Sequence, residues 1–362
     1  MDDLRDGEGT GAPLALDAGR IEPWLVAAIP GFGRLRRIAP LAGGQSNPTF
    51  LIEADGGRFV LRRQPPGVLL KGAHAVDREH RVMAALAGSP VPVPRVRCLC
   101  RDPDVAGTMF YVMDHVEGRV VHDPRLPGFS PQERGRVYDA MNATLAALHG
   151  VDPQALGLSD FGRPSGYFAR QTKRWIENYR ASETGPRPLL DETIAWLEAE
   201  PAPDDGPAAL VHGDFRLDNM ILATDAPRVV ALIDWELSTL GHPLADLAYQ
   251  VAQWRLPAEG AVFAGLGGVD RAALGLPEDA AYLEAYMRRR GLSALPHWRW
   301  AVVFSLFRLA AILQGVYRRA RDGNAPNRAR GLAMGESIPE LERLAAEAIA
   351  ASDAATRAAG SP

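Results

Sequence analysis

Residues 210–222 read LVHGDFRLDNMIL, and residues 233–236 read IDWE. His212, Asp214, Asn219 and Asp234 therefore lie close together on short segments between aliphatic runs. The run ALV leads into His212-Gly213-Asp214, so Asp214 is delivered at the end of a hydrophobic segment. Asn219 follows on the same loop. MIL and VVALI read as two buried strands, the second ending at Asp234. A hairpin of this kind brings Asp214, Asn219 and Asp234 to one end of a short sheet. A carboxylate, an amide oxygen and a second carboxylate suit a hard, oxygen-preferring cation such as Mg²⁺. The competing reading is ordinary turn chemistry, since Asp and Asn favour loops.

These residues need a scaffold. A chain of 362 residues has room for two domains, or for one domain with two lobes. Hydrophobic residues at 47% and charged residues at 23% mark an ordinary soluble globular protein. A net charge of −4 gives no reason to expect nucleic acid or an anionic membrane as partner. Cys98 and Cys100 are the only cysteines. Two residues apart on a strand they point the same way, and such neighbours rarely form a disulfide, so a reducing cytoplasm fits best. No second Cys or His pair sits at zinc spacing. The start, MDDLRDGEGTGAP, is acidic and Gly-rich, lacks the apolar run of a signal peptide, and reads as a frayed tail. The apolar stretch 300–317 is interrupted by Arg308 and Gln314. It is short of the roughly 20 residues a membrane span needs, so it reads as a buried helix. Lysine stands only at 71 and 173, the other 38 basic residues being arginine, so a phosphate-binding lysine has few places to be.

Residues 38–63 read as short strands, with GGQSNP and DGG as turns. Residues 75–88 read as a helix stopped by Gly88, and 108–118 as an apolar strand running into a polar turn. From 130 the pattern turns helical, with Ser130 as N-cap, Pro131 at the first position, Glu133 at the third and Gly150 as the stop. Helical patterns recur near 165–180 and 188–200 and over most of 244–350. Between them, 208–236 reads as strand, loop, strand, loop. The outline is α+β: a flexible tail (1–19), a small β-rich N-lobe (20–113), a larger, mainly helical C-lobe (114–350) and a C-terminal tail (351–362). Trp298, Trp300, Phe304 and Phe307 stand at helical spacing and read as core. Asp246 in HPLADLAY reads as a helix cap that braces the loop at 212–219.

No P-loop pattern G-x-x-x-x-G-K-[ST] occurs, which counts against P-loop kinases and ATPases. The string H-G-D-F-R-L-D-N instead matches the protein-kinase catalytic loop, H-R-D-L-x-x-x-N, in the spacing of its Asp and Asn, and D-W-E stands where D-F-G would. In kinases the loop Asp accepts the proton of the acceptor hydroxyl, and the Asn and the second Asp bind Mg²⁺. H-G-D-x-x-x-x-N followed by an Asp at the end of the next strand resembles the aminoglycoside phosphotransferase-like, or choline-kinase-like, small-molecule kinases. The longer string HGDFRLDNMIL…VVALIDWELSTLGHPLADLAYQ is similar to one branch of that family, the phosphotransferase domains of some acyl-CoA dehydrogenase-like proteins and their free-standing bacterial relatives. FVLRRQPPG…AHAVDREHRVMAAL and RLAAILQGVYRRARDGNAP resemble that branch too. The likeness covers about 35–330.

This resemblance implies a bilobal, protein-kinase-like fold with ATP between the lobes, Asp214 as catalytic base, Asn219 and Asp234 on Mg²⁺, His212 supporting the loop and Glu236 as an outer metal contact. A kinase also carries a strand lysine that meets the phosphates and pairs with a helix Glu. In FVLRR, Arg62 takes that slot and Glu79 is its partner, with Lys71 as the rival. Arginine keeps a permanent charge and a planar fork, so phosphate binding survives with altered geometry. Ser46 and Asn47 fall in the phosphate-covering loop, and Met113, Asp114, His115 and Val116 form the stretch whose backbone meets adenine. The expected activity is ATP- and Mg²⁺-dependent phosphorylation of a hydroxyl on a small molecule. A hydroxyacyl thioester or hydroxy acid fits the branch better than an aminoglycoside. Nucleic acid and membrane are not expected as partners, and a homodimer is compatible with the reading. The alternative is a nucleotide-binding pseudokinase acting as a regulatory module, motivated by the arginine at the lysine position.

Overall fold

The computed structural model describes residues 16–41, 47–67, 74–203, 206, 208–260, 264–325 and 327–351. It divides into two compact units. The smaller comprises residues up to 88, 93–117 and 231–236; the larger comprises 89–92, 118–230 and 237 onward.

The smaller unit is built on a five-stranded antiparallel sheet. Its strands are β1 (Leu35–Pro40), β2 (Thr49–Ala54), β3 (Gly57–Arg63), β4 (Val96–Cys100) and β5 (Phe110–Asp114), in the order β1-β2-β3-β5-β4. Three helices accompany them: α1 (Ala18–Ala28), α2 (Val76–Leu86) and the short α3 (Pro103–Ala106). Alternation along the strands decides what each face carries. Phe50, Ile52, Phe59, Leu61, Phe110 and Val112 join Ile21, Leu25 and Ile29 of α1 in one buried cluster. Residues on the other face of the central strands include Arg62 and Tyr111, which sit opposite each other in the β3–β5 register. Both cysteines are free: Cys100 lies in the cluster and Cys98 packs against it. Burial and the neighbouring Cys100 push the Cys98 thiol up to about 12, so it stays protonated and unreactive.

The sequence pattern gave no sign of α1. Pro23 lies inside it, where proline is ordinarily a breaker. Burial of Ile21 and Leu25 and an N-cap bond from Gly19 N–H to the Asp17 carboxylate hold it nonetheless.

The larger unit is mainly helical: α4 (Pro131–Gly150), α5 (Tyr167–Ser182), α6 (Pro188–Ala199), α7 (Leu244–Trp254), α8 (Arg271–Leu274), α9 (Asp279–Arg290), α10 (Trp298–Arg321), α11 (Arg328–Glu336) and α12 (Ile338–Ala350). Its short strands are β6 (Ala209–Val211), β7 (Met220–Leu222) and β9 (Thr239–Gly241), with β6 paired to β9. The chain passes from β7 through a turn closed by Ala223 N–H on the Arg228 carbonyl into β8 (Val229–Leu232), which carries it into the smaller unit. The capping box at Ser130 and Glu133 forms as the sequence indicates, although Gly150 stays helical and Val151 is the C-cap.

Helix α10 is long and apolar enough to cross a membrane by length and composition, yet 78% of its apolar window is buried inside the protein. Trp300, Phe304 and Phe307 are core residues on it, and Phe168 packs edge-on against the first two.

Candidate active site

In the larger unit, the loop 212–219 is fixed at both ends of its first turn. Asp246, in the first turn of α7, accepts the backbone N–H of His212 at 2.7 Å and of Gly213 at 2.8 Å. It does not cap its helix, whose N-cap position is Pro243. Burial works against ionisation of Asp246, but the His149 hydrogen bond and the His212 N–H hold its carboxyl below the usual range. His149 bonds Asp246 through Nε2 at 3.3 Å and Tyr286 through Nδ1 at 2.7 Å. On the other side of the turn, Arg308 of α10 donates to the Gly213 carbonyl at 2.7 Å and lies over the Tyr249 ring. Gly213 has φ +85°, and a Cβ there would sit 2.5 Å from the Leu237 carbonyl oxygen, so only glycine fits.

This frame presents Asp214. Asn219 donates through Nδ2 to both the backbone carbonyl and the carboxylate of Asp214, each at 2.8 Å. The amide is thereby pinned by its nitrogen, which leaves its oxygen as the acceptor end. Tyr249 also hydrogen-bonds the Asp214 carboxylate; burial and the Asp214 charge push its phenol upward, so it remains a donor. Arg216 lies 3.4 Å from Asp214 and 2.6 Å from Asp218. His212 is fully buried, and its Nδ1 receives the Asp214 N–H at 3.3 Å, a supporting position rather than a reacting one.

In the smaller unit, Arg62 is at the centre of a charge cluster in which it and Glu79 are buried and Asp234 and Glu236 half-buried. Its guanidinium meets Asp234 at 2.5 Å, Glu79 at 3.2 Å and Glu236 at 3.7 Å. Asn47, fully buried, donates to Glu79 at 3.0 Å and to Glu236 at 3.4 Å, and Tyr111 donates to Glu79 at 3.2 Å. Burial opposes the Arg62 charge, but Glu79 and Asp234 outweigh it and raise the guanidinium above its ordinary value. Burial also pushes the Glu79 carboxyl up, to about 7, with Arg62 pulling it back. The two upward directions conflict, because a protonated Glu79 would deprive Arg62 of a counter-ion. Two donors, Asn47 and Tyr111, and the Arg62 guanidinium converge on the Glu79 oxygens, an arrangement that suits the carboxylate, and the geometry therefore favours the ion pair.

Asp234 has φ +66°, a left-handed conformation rare outside glycine and concentrated at functional sites. Trp235 beside it is fully buried and donates to the Leu232 carbonyl at 2.9 Å. Met113 ends the buried part of β5. The N–H groups that follow are engaged, that of Asp114 by the Arg95 carbonyl at 2.9 Å and that of His115 by Arg58 at 3.1 Å. Ser46 and Lys71 lie outside the described residues.

Sequence spacing thus picked out Asp214, Asn219, Arg62, Glu79 and Asp234. It missed Tyr249, Arg216, Arg308 and His149, of which Arg308 showed only as an interruption in an apolar run.

A chain with a five-stranded antiparallel sheet unit, a helical unit and a braced H-G-D loop has the architecture of a small-molecule phosphotransferase. Residues 37–301 match the model of the phosphotransferase enzyme family, and the chain belongs to that family. It is 44% identical over 282 residues to acyl-CoA dehydrogenase family member 10 of Mus musculus, covering 78% of this chain and 26% of the relative. It is 42% identical over 321 residues to acyl-CoA dehydrogenase family member 11 of Gallus gallus, covering 85% of this chain and 40% of the relative. The chain therefore spans about a quarter to two-fifths of the length of these relatives. A crystal structure from Ralstonia eutropha JMP134, named for the aminoglycoside phosphotransferases, superposes with a TM-score of 0.85 at 42% identity, covering 94% of this chain and all of that one. An aminoglycoside phosphotransferase mutant in ternary complex with AMP-PNP and hygromycin B shares the fold, with a TM-score of 0.58 at 17% identity, covering 92% of this chain and all of that one.

Proposed function

We propose that the chain transfers the γ-phosphoryl group of ATP, with Mg²⁺, to a hydroxyl group of a small molecule. The observation that carries this reading is the Asp214 carboxylate, oriented by Asn219 on a loop whose backbone Asp246 and Arg308 fix at three groups. Asp214 orients the acceptor hydroxyl and takes its proton. Its Asn219, Tyr249 and Arg216 contacts hold the carboxylate aimed, so catalysis is mainly positioning and electrostatics.

The oxygen donors that suit magnesium are, in the larger unit, the Asn219 amide and, in the smaller, the Asp234 carboxylate with Glu236 as an outer contact. Among the described residues no three His, Cys, Asp or Glu side chains gather into a metal cage. That is compatible with an ion that keeps waters and nucleotide phosphates among its ligands. When bound, magnesium supplies neutralisation of charge on the transferred group. Arg62 meets the nucleotide phosphates and Glu79 orients it, in place of the usual lysine and its partner. Because the Asp114 and His115 N–H groups are engaged, the adenine amino group would meet a carbonyl oxygen of the 113–116 stretch.

The acceptor this reading favours is a hydroxyacyl thioester or a hydroxy acid. The names of the relatives support it, as do the arginines of the larger unit. The compartment is the cytoplasm, in keeping with two unpaired thiols, and the working form is a monomer or homodimer. The test is ADP formation with Mg²⁺ across hydroxyacyl-CoAs, hydroxy acids, amino alcohols, sugars and aminoglycosides. A hit that disappears in Asp214→Asn supports the reading. Nucleotide binding with no turnover on any acceptor would shift the weight to a pseudokinase, and no nucleotide binding would overturn the reading.

A further inference from the structure

Beside the 212–219 loop, within the larger unit, lies a cavity of about 220 Å³. Arg216, Asp218, Gln250, Trp254 and Arg330 are among the residues that line it. Gln250, Gln253 and Trp254 stand at i, i+3 and i+4 on α7, so one face of that helix forms a wall. Gln250 is 1% exposed. Its Oε1 accepts the Tyr282 hydroxyl at 2.8 Å, while its Nε2 is buried with no hydrogen-bond partner among the described residues. A buried amide donor left unsatisfied costs stability and calls for an explanation, and a ligand oxygen supplies one.

Arg216 couples this cavity to the proposed base, since it contacts Asp218 on one side and Asp214 on the other. Arg330 adds an exposed cation among the lining residues. A space of this size holds roughly seven waters, so it takes the short end of a molecule and not a whole cofactor. The chemistry of that end follows from Gln250. An ammonium group offers three donors and no lone pair, so it cannot satisfy Nε2. A carboxylate or carbonyl oxygen can, and Arg216 and Arg330 favour the negative one.

We infer that this cavity receives the acyl oxygen of the phosphoryl acceptor, and that Gln250 selects it by donating its Nε2 hydrogen to a carboxylate or thioester carbonyl oxygen. The inference rests on the kinase reading for the word acceptor, but not for the binding itself. The discriminating variant is Gln250→Glu, which keeps an acceptor for Tyr282 and removes the donor.

Calorimetric binding is measured without nucleotide for 3-hydroxybutyrate, its N-acetylcysteamine thioester and 2-amino-1-butanol. The wild-type chain is expected to bind one or both acyl probes and to discriminate against the amino alcohol. Gln250→Glu is expected to weaken the acyl probes about 10- to 100-fold. Gln250→Leu, which removes the donor without adding charge, is expected to weaken them as well, while melting within a few degrees of wild type. Preference for the free acid, with further loss in Arg330→Ala, identifies a carboxylate; preference for the thioester identifies a carbonyl. Equal binding of acyl and amine probes, or unchanged acyl affinity in both Gln250 variants, would overturn the inference. Acyl binding that is lost in the variants while no phosphoryl transfer occurs would sink the kinase reading and leave the site standing.

Discussion

Replacing Asp246 with Asn tests whether the 212–219 loop is held from beneath. The carboxylate is 1% exposed and accepts two backbone N–H groups at 2.7 and 2.8 Å, with His149 at 3.3 Å. Asparagine has the same shape but only one oxygen, so its Nδ2 must face a backbone N–H. One charge-assisted bond, worth about 1.5–3 kcal/mol, disappears, and a buried donor is left unmet at a cost of about 1–3 kcal/mol. A net loss of about 3 kcal/mol is expected, roughly 5 °C in melting temperature for a chain of this size. A loop displaced by about 1 Å at Asp214 costs about 100-fold in turnover, while nucleotide affinity changes little. The loss also has a pH signature. The folded carboxyl sits below the usual range, so its contribution is fully present above about pH 4 and is lost as pH falls through the folded value. The stability gap between wild type and Asp246→Asn therefore closes in acid, as pH falls through the folded value of the Asp246 carboxyl. Thermal melts across pH and steady-state ADP formation measure both effects. A variant that melts within a degree of wild type at pH 7 and turns over normally would refute the bracing argument.

Other substitutions bear on separate parts of the site. Arg62→Met leaves Glu79, Asp234 and Glu236 without their shared cation, so a loss of about 3–5 kcal/mol and a raised KM for ATP are expected from melts and kinetics. Arg62→Lys should restore part of the nucleotide use. Gly213→Ala puts a Cβ 2.5 Å from the Leu237 carbonyl oxygen at a positive φ, and a fall in both melting temperature and turnover is expected. Tyr249→Phe removes one donor from Asp214 without changing packing, so turnover should fall about tenfold with the melt unchanged.

What the sequence disclosed was local. Asp214 and Asn219 lie five residues apart and share a hydrogen bond, so their spacing was a direct image of the site. The capping box of α4 was legible for the same reason. The braces were not, because Asp246 reaches His212 across 34 residues and Arg308 reaches Gly213 across 95. Periodicity ranks an arginine in an apolar helix as an interruption and cannot say which carbonyl it meets. Helix α1 was hidden by Pro23, whose unfavourable propensity is overridden by packing against the sheet. Gln250 read as one more polar residue, since only the fold shows that one end of its amide is occupied and the other has no partner among the described residues.

The central claim is that Asp214 is the base of a phosphoryl transfer. The measurement that meets it most directly is acceptor-dependent ADP formation with Mg²⁺ by wild type and by Asp214→Asn, each checked for folding by thermal melt. The account predicts a fall in turnover of about 10²–10⁴-fold with the fold and the KM for ATP preserved. Turnover in the variant within a few-fold of wild type, on the same acceptor, would contradict it.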